Sequence, residues 1–385
     1  MKPILSIIIP CYNCEKTLEE AVNSCFTQEI KGSFEIVMVD DGSTDGTREV
    51  MKNLSENHKE IKLFYHKENM GGGATRNAAV GYSESEIIFC LDSDDILPPA
   101  TLPKMLNLLL EKQCDGVVFK ETHFFETNTR KVEISANNIE NGKQITLLDL
   151  FKKRGFLTQV NFLYKKEAFL KAGKYPENHG FDTQDFGFRF LAGEQKAYVC
   201  PGTHYFHRRS QKQKSYFERV YEKGELSRNI YLIYENIVDF LPDSVVKKIM
   251  EYNIFRETKL GNGNLQAEIE ELLKNETELT KKYITNDNDM HNTSVVDKFR
   301  LAIKNYKNTD YSKSMDIYKE ILSTGFTSPV IFFNIIRCSL AIAGTPLSKI
   351  EKETEKTISE LITEKPKKSS FMRRAYGYVR RLLRI

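Results

Sequence analysis

Ile87-Ile88-Phe89-Cys90-Leu91-Asp92-Ser93-Asp94-Asp95 sets five apolar residues directly against a hydroxyl and three carboxylates. An unbroken apolar run of this length, closed by turn formers, reads as a strand buried on both faces. The same pattern stands twice upstream. Leu5-Ser6-Ile7-Ile8-Ile9 runs into Pro10-Cys11-Tyr12-Asn13, and the strand from Phe34 to Val39 runs into Asp40-Asp41-Gly42-Ser43. Helical patterns lie between them. One spans Lys16 to Thr27, with Leu18, Ala21, Val22 and Cys25 on one face, and another runs through Val50 and Leu54. Ile61 to Tyr65 adds a strand and Thr75 to Gly81 a helix. Pro98-Pro99 open a helix that runs to Lys112. Strand–helix alternation predicts an α/β fold, a mostly parallel sheet flanked by helices. In such sheets ligands bind beyond the carboxyl ends of the strands, which is where all three polar clusters fall.

Beyond Lys120 the alternation weakens. Residues 121–145 read as irregular strands and loops, Asn161 to Tyr164 as a short strand and Lys165 to Ala172 as a helix. Phe181 to Leu191 is helical and Ala197 to Cys200 a strand. From residue 216 onward the signal is all-α, with helical spacing over 216–240, 244–260 and 265–284. Val295 to Leu322 resembles a helical hairpin of tetratricopeptide type, turning near Asn308-Thr309-Asp310-Tyr311. A solenoid needs about three stacked repeats. One is visible, so an ordinary helical bundle is favoured. The expected division is a catalytic domain over 1–215, a helical extension over 216–290, a hairpin region over 291–364 and a basic tail over 365–385.

Bulk properties bound the function. A chain of 385 residues implies two or three domains. With 40% hydrophobic, 11% aromatic and 28% charged residues it is neither disordered nor membrane-embedded. Eight of the 56 Lys and Arg lie between Lys365 and Ile385, with no acid among them. That leaves 48 against 53 Asp and Glu, so residues 1–364 carry a net charge of about −5, which argues against nucleic acid as a partner. Seven cysteines scattered from Cys11 to Cys338 form no disulfide framework, and the lone Cys11-Tyr12-Asn13-Cys14 lacks the further ligands zinc requires. The first residues lack the pattern of a signal peptide, and no apolar run reaches the roughly 18 residues of a membrane span. A cytoplasmic location is expected.

The clusters carry chemistry. Asp92 and Asp94, spaced i, i+2 at a strand tip, are costly unless a cation or donors compensate them. Oxygen ligands of this kind suit Mg²⁺ or Mn²⁺, which keep positions open for substrate phosphates. A solvated turn is the competing explanation, and the placement beside two other polar clusters outweighs it. Asp40-Asp41 ends another buried strand, where a carboxylate can accept a hydrogen bond from a base or ribose. Glu68-Asn69-Met70-Gly71-Gly72-Gly73-Ala74-Thr75-Arg76-Asn77 is a glycine-rich entry to a helix. Such an entry favours an anion, and Arg76 could answer a diphosphate with several donors. It lacks the Gly-Lys-Ser/Thr ending of a Walker loop.

Taken in order, these stretches resemble the family 2 inverting glycosyltransferases. The matching segments are Leu5 to Asn13, Val39 to Thr47, Asn69-Met70-Gly71 with Arg76-Asn77, and Phe89 to Asp95. The resemblance covers the first 215 or so residues. It implies a GT-A fold, with a Rossmann-like sheet, followed here by the all-α C-terminal region. It also implies transfer of a sugar from a nucleotide-diphospho-sugar, UDP by default, to an acceptor hydroxyl. Pro10 and Tyr12 would border the base and Asp41 would bond it. Asn69 and Arg76 would steady nucleoside and diphosphate, Asp92 and Ser93 would lie along the donor, and Asp94 would bind Mn²⁺ or Mg²⁺.

The family carries its general base in a Glu-Asp pair that opens a helix. Here the stretch is Phe181-Asp182-Thr183-Gln184-Asp185-Phe186. Asp185 is assigned as the base, with Gln184 in place of the usual Glu. Asp182 is the rival, or else a helix N-cap. In His204-Tyr205-Phe206-His207-Arg208-Arg209, His207 is a candidate metal ligand and Arg208 a candidate diphosphate contact. The basic stretch could equally meet an anionic polymer acceptor; a glycan or lipid-linked acceptor also fits. At about 100° per residue, Phe371, Ala375, Tyr378, Val379, Leu382 and Ile385 share one face of a helix opposite Arg373, Arg380 and Arg384. Residues 371–385 could thus lie on an anionic membrane surface; packing on the body or on a second copy in a homo-oligomer is the alternative. Two rival functions stand. A sugar-phosphate nucleotidyltransferase would carry its glycine-rich loop after the first strand, where this chain has Pro10-Cys11-Tyr12-Asn13. A non-catalytic helical scaffold with a retired transferase domain is disfavoured by Asp92, Asp94 and Asp185.

Overall fold

A computed structural model of the chain describes residues 2–136, 139–151, 161–177, 180–209, 216–223, 226–252, 263–274, 294–326, 328–346, 349–350, 353–354 and 356–357. It divides into two compact units, Met1–Arg219 and Val220–Ile385.

The first unit is built on one sheet. β1 (Leu5–Cys11), β2 (Phe34–Asp40), β3 (Ile61–Tyr65) and β4 (Ile87–Cys90) are parallel, in the order β3-β2-β1-β4. Parallel neighbours need crossovers, and α1 (Leu18–Phe26), α2 (Thr47–Asn57) and α3 (Gly72–Tyr82) supply them. After α4 (Thr101–Lys112) come β5 (Gly116–Phe125), β6 (Glu133–Ala136), α5 (Leu147–Phe151), β7 (Leu163–Lys165), α6 (Lys166–Lys171), α7 (Asp182–Ala192) and β8 (Ala197–Arg208). β7 joins β4 antiparallel and carries the sheet on to β5, which pairs antiparallel with β7 and β6 and parallel with β8. The sheet is therefore mixed, mostly parallel and flanked by helices.

Strand alternation sorts the apolar residues. Ile7, Ile9, Ile36, Met38 and Phe89 form one buried cluster with Leu18, Val22 and Cys25 of α1 and Met105 and Leu109 of α4. A separate set of rings seats α7: Phe186 packs 4.5 Å from Tyr175 and 5.3 Å from Tyr164, centroid to centroid, with Phe162, Phe169 and Phe190 around it. All seven cysteines are free and buried.

The expected elements of residues 1–120 are present, with one change at α4. Pro98 and Pro99 precede the helix, because Ala100 turns through the left-handed region at φ 54° before Thr101 begins it. The larger difference is β5 and β8. Residues 121–125 belong to a strand that starts at Gly116, and the strand expected over 197–200 continues to Arg208. Polar residues such as Lys120, Glu121 and His123 hide both from a periodicity reading, and a register shift between Phe119 and Glu121 interrupts the alternation further.

The second unit is helical where described: the end of α8 (Tyr216–Glu222), α9 (Leu226–Glu235), α10 (Asp243–Glu251), α11 (Gly263–Lys274), α12 (Val295–Lys307), α13 (Tyr311–Ser323) and α14 (Pro329–Ile342). Ser294, Asp310 and Ser328 cap the last three, each side chain accepting a backbone N–H of the first turn. The expected hairpin is α12–α13, closed by Ser314 Oγ donating to Ala302 O at 2.8 Å. A buried pair, Arg337 with Glu235 at 2.9 Å, is completed by Asn334 and Tyr231. Residues 253–260, 275–284 and the tail 365–385, for which helices are expected, lie outside the described residues. No described helix is long and apolar enough to cross a membrane.

Candidate active site

The carboxyl ends of β1, β2 and β4 carry loops that are stitched together. Asn13 N donates to Ser43 Oγ at 3.0 Å, and Asn13 Oδ1 accepts Thr44 N at 2.8 Å. Cys14 N donates to Thr47 Oγ1, and Gly46 N to the Glu15 carboxylate. This fixes the loop after Pro10 and leaves Tyr12 half in solvent, 50% exposed.

Asp41 is buried and spends its carboxylate inside the protein. Oδ1 accepts Met70 N at 2.8 Å and faces His66 Nδ1 at 2.8 Å, while Oδ2 accepts Gly71 N at 2.9 Å. It thereby sets the glycine-rich loop, leaving Asn69 exposed. Gly42 permits the approach, since a Cβ there would meet Asn69 N at 2.8 Å.

Arg76, expected as a diphosphate contact, bridges two carboxylates of the site. Nη2 donates to Asp92 Oδ1 at 2.6 Å and Nη1 to Asp182 Oδ2 at 2.7 Å. Burial acts against its charge, and the two carboxylates hold it firmly protonated. For Asp92 burial pushes the carboxyl up, but Arg76, through charge and hydrogen bond, with Asn161 Nδ2 at 3.0 Å, brings it below its ordinary value. Asn161 Nδ2 also donates to Tyr205 Oη, which in turn lies 3.4 Å from Asp92 N.

Asp94 is exposed and has the opposite balance. The surrounding chain, then the charges of Asp95 and Asp92, push its carboxyl up to about 7, with His207 pulling the other way. Ser93 turns its hydroxyl to the Cys14 thiol. His207, expected as a metal ligand, places Nδ1 3.0 Å from the fully buried Asp95 carboxylate, a contact of the kind that orients a metal-ligating ring through its other nitrogen. Burial would lower its pKa, yet Asp95, then Asp92 and Asp94, raise it to about 9. Arg208 is likewise engaged, by Asp94 O at 2.7 Å and Glu20 at 2.5 Å, beneath Phe125.

The structure separates the two base candidates. Asp185 has no exposed surface, and its Oδ1 accepts Arg189 Nε at 2.5 Å; Arg189 then holds Ala172 O and Lys174 O. It serves as the counter-ion of a structural arginine. Asp182 begins α7 and sits beside the glycine-rich loop on Arg76. Asn161, Tyr205 and His66 have no assigned role in the sequence reading, and Asp95 figures there only as the last carboxylate of its cluster. Tyr205 and His207 could have been paired by their i, i+2 spacing on one strand face, had β8 been recognised.

The residues fit a divalent ion in part. Among the described residues no three His, Cys, Asp or Glu side chains gather as a metal cage. Asp94, however, is an exposed oxygen donor beside Asp92 and Asp95, and Mg²⁺ or Mn²⁺ characteristically takes one or two carboxylates plus substrate phosphates.

Gly73 marks the tightest approach. A Cβ there would fall 1.8 Å from Pro176 O and 3.4 Å from Asp182 Cβ. Gly73→Ala must displace backbone, and a loss of about 1–3 kcal/mol or more is expected in denaturant unfolding. A neutral outcome would show that this packing is absent in solution.

Residues 6–173, most of the N-terminal unit, match the Glycosyl transferase family 2 model. The chain is 38% identical over 109 residues to an uncharacterized glycosyltransferase of Haemophilus influenzae, covering 28% of this chain and 43% of that one. It is 34% identical over 113 residues to the putative teichuronic acid biosynthesis glycosyltransferase TuaG of Bacillus subtilis, covering 29% and 44%. It thus spans less than half the length of these two relatives. The crystal structure of S. aureus TarS 1–349 in complex with UDP-GlcNAc superposes with TM-score 0.50 at 19% identity, covering 92% of this chain and 91% of that one. The likeness defines the fold as GT-A.

Proposed function

We propose that the chain is a metal-dependent inverting glycosyltransferase that moves a sugar, hexosyl or N-acetylhexosaminyl, from a UDP-sugar to an acceptor hydroxyl. The acceptor class is a glycan, a lipid-linked sugar or an anionic envelope polymer. The observation that carries the reading is the meeting of Asp94, the Asp92–Arg76–Asp182 bridge and the Asp41-braced glycine-rich loop at one edge of the sheet. TarS, of the same fold, binds UDP and UDP-GlcNAc.

In this account Pro10 and Tyr12 border the base, and Asp41 holds the loop that carries Asn69 against the nucleoside. Asp92 orients the donor. Asp94 would hold Mn²⁺ or Mg²⁺ beside the donor diphosphate, where such an ion would supply positive charge against that growing on the leaving UDP. Arg208, braced on Asp94 O, lines the same edge. Asp182 removes the acceptor proton as its oxygen attacks the anomeric carbon from behind, in place of Asp185.

The test is UDP release from a panel of UDP-sugars with Mn²⁺, Mg²⁺ or EDTA. EDTA-sensitive release from one donor, lost in Asp182→Asn and retained in Asp185→Asn to the extent that this variant folds, is the expected result. Metal-independent release, or none from any donor in the presence of acceptor extracts, would defeat the reading.

A further inference from the structure

Gly73, Arg76 and Asn77 share one face of α3, spaced i, i+3, i+4. All three meet the chain that leads into α7. Gly73 lies under Pro176 O, Arg76 holds Asp182, and Asn77 holds Tyr175. The Asn77 contact is reciprocal: Nδ2 donates to Tyr175 O at 2.9 Å, and Oδ1 accepts Tyr175 N at 2.9 Å. A third bond runs from Nδ2 to Glu177 Oε1 at 2.8 Å. The side-chain amide takes the place that a neighbouring strand's backbone would fill, across 98 residues of sequence. Of the natural side chains only Asn and Gln can both donate and accept in this manner, and Gln is one methylene too long for the same registration.

We propose that Asn77 is a positioning residue for transfer: by clamping the Tyr175 backbone to α3, it sets the height of Asp182 over the glycine-rich loop. The inference rests on the reading of Asp182 as the general base. The donor side and the acceptor side of the site are then registered through one helix face, with Arg76 pulling on the carboxylate and Asn77 fixing the chain that carries it. Asn77 itself touches neither substrate.

The experiment is a double-mutant cycle of Asn77→Ala and Asp182→Asn in the full chain, read as kcat and donor KM, with hydrogen exchange of the Tyr175 amide followed in the absence of substrate. Asn77→Ala should lower kcat by about 10–100-fold, the effect of moving a catalytic group by about an ångström. Donor KM should change by less than about threefold. In the Asp182→Asn background the same substitution should cost less than about twofold, because the residues act as one unit. The Tyr175 amide should exchange at least about tenfold faster. Asn77→Asp keeps the acceptor for Tyr175 N but loses the donor, and serves if the alanine variant does not fold; it should follow the same pattern.

Additive losses in the cycle would overturn the inference, leaving Asn77 a support of the fold only. So would a raised donor KM at unchanged kcat, or an unchanged Tyr175 exchange rate. Full turnover in Asp182→Asn alone would instead overturn the base assignment beneath it, a result told apart by the exchange measurement, which needs no activity.

Discussion

Replacing Arg76 by Met should cost about 3–5 kcal/mol of stability and abolish turnover. The side chain bridges Asp92 and Asp182, whose carboxylates are 19% and 8% exposed. Removing the shared cation leaves two uncompensated charges that water reaches poorly, the situation in which breaking a buried pair costs that much. Arg76→Lys should recover only part of the loss, since one ammonium cannot reproduce a planar fork that donates to two acceptors at once. Denaturant unfolding of the variants checks both statements. A change below about 1 kcal/mol for Arg76→Met would mean that the bridge is a surface pair of ordinary weight, and the organisation of the site would have to be redrawn.

Asp94→Asn should behave in the opposite sense. Turnover with the metal should fall by about a thousandfold or more, the scale seen when a group that stabilises developing charge is removed. Without metal, stability should hold or rise. Burial, then the charges of Asp95 and Asp92, push the carboxyl up to about 7, so a neutral amide relieves repulsion among the three carboxylates. Thermal unfolding in EDTA alongside a UDP-release assay separates the two effects. Loss of both stability and turnover would give Asp94 a structural role, and retained turnover would remove it from the chemistry.

How far the sequence disclosed this arrangement follows from where the signals are local. β1, β2 and β4 read clearly because each is an apolar run closed by a polar cluster, and the clusters name the site's edge. β5 and β8 did not, because Glu121 and His123 take polar partners inside the sheet and the pairing is set by distant chain. With β8 went Tyr205 and the contact of His207 with Asp95. Arg76 was legible as a cation at a helix entry, but its two carboxylates come from residues 16 and 106 positions away, beyond any spacing argument. Asp185 drew attention as the acid nearest the family pattern. Its burial against Arg189 is an i, i+4 pair that helical spacing could have suggested.

The central claim is that Asp94 and its neighbours form a metal-dependent nucleotide-sugar site. Calorimetric titration of UDP into the full chain, in Mn²⁺ and in EDTA, and into Asp94→Asn, tests it most directly. The account predicts binding to the wild-type chain that weakens at least about tenfold in EDTA, and binding to the variant that no longer responds to metal. UDP affinity equal in Mn²⁺ and EDTA, or an Asp94→Asn chain that keeps the full metal response, would contradict it.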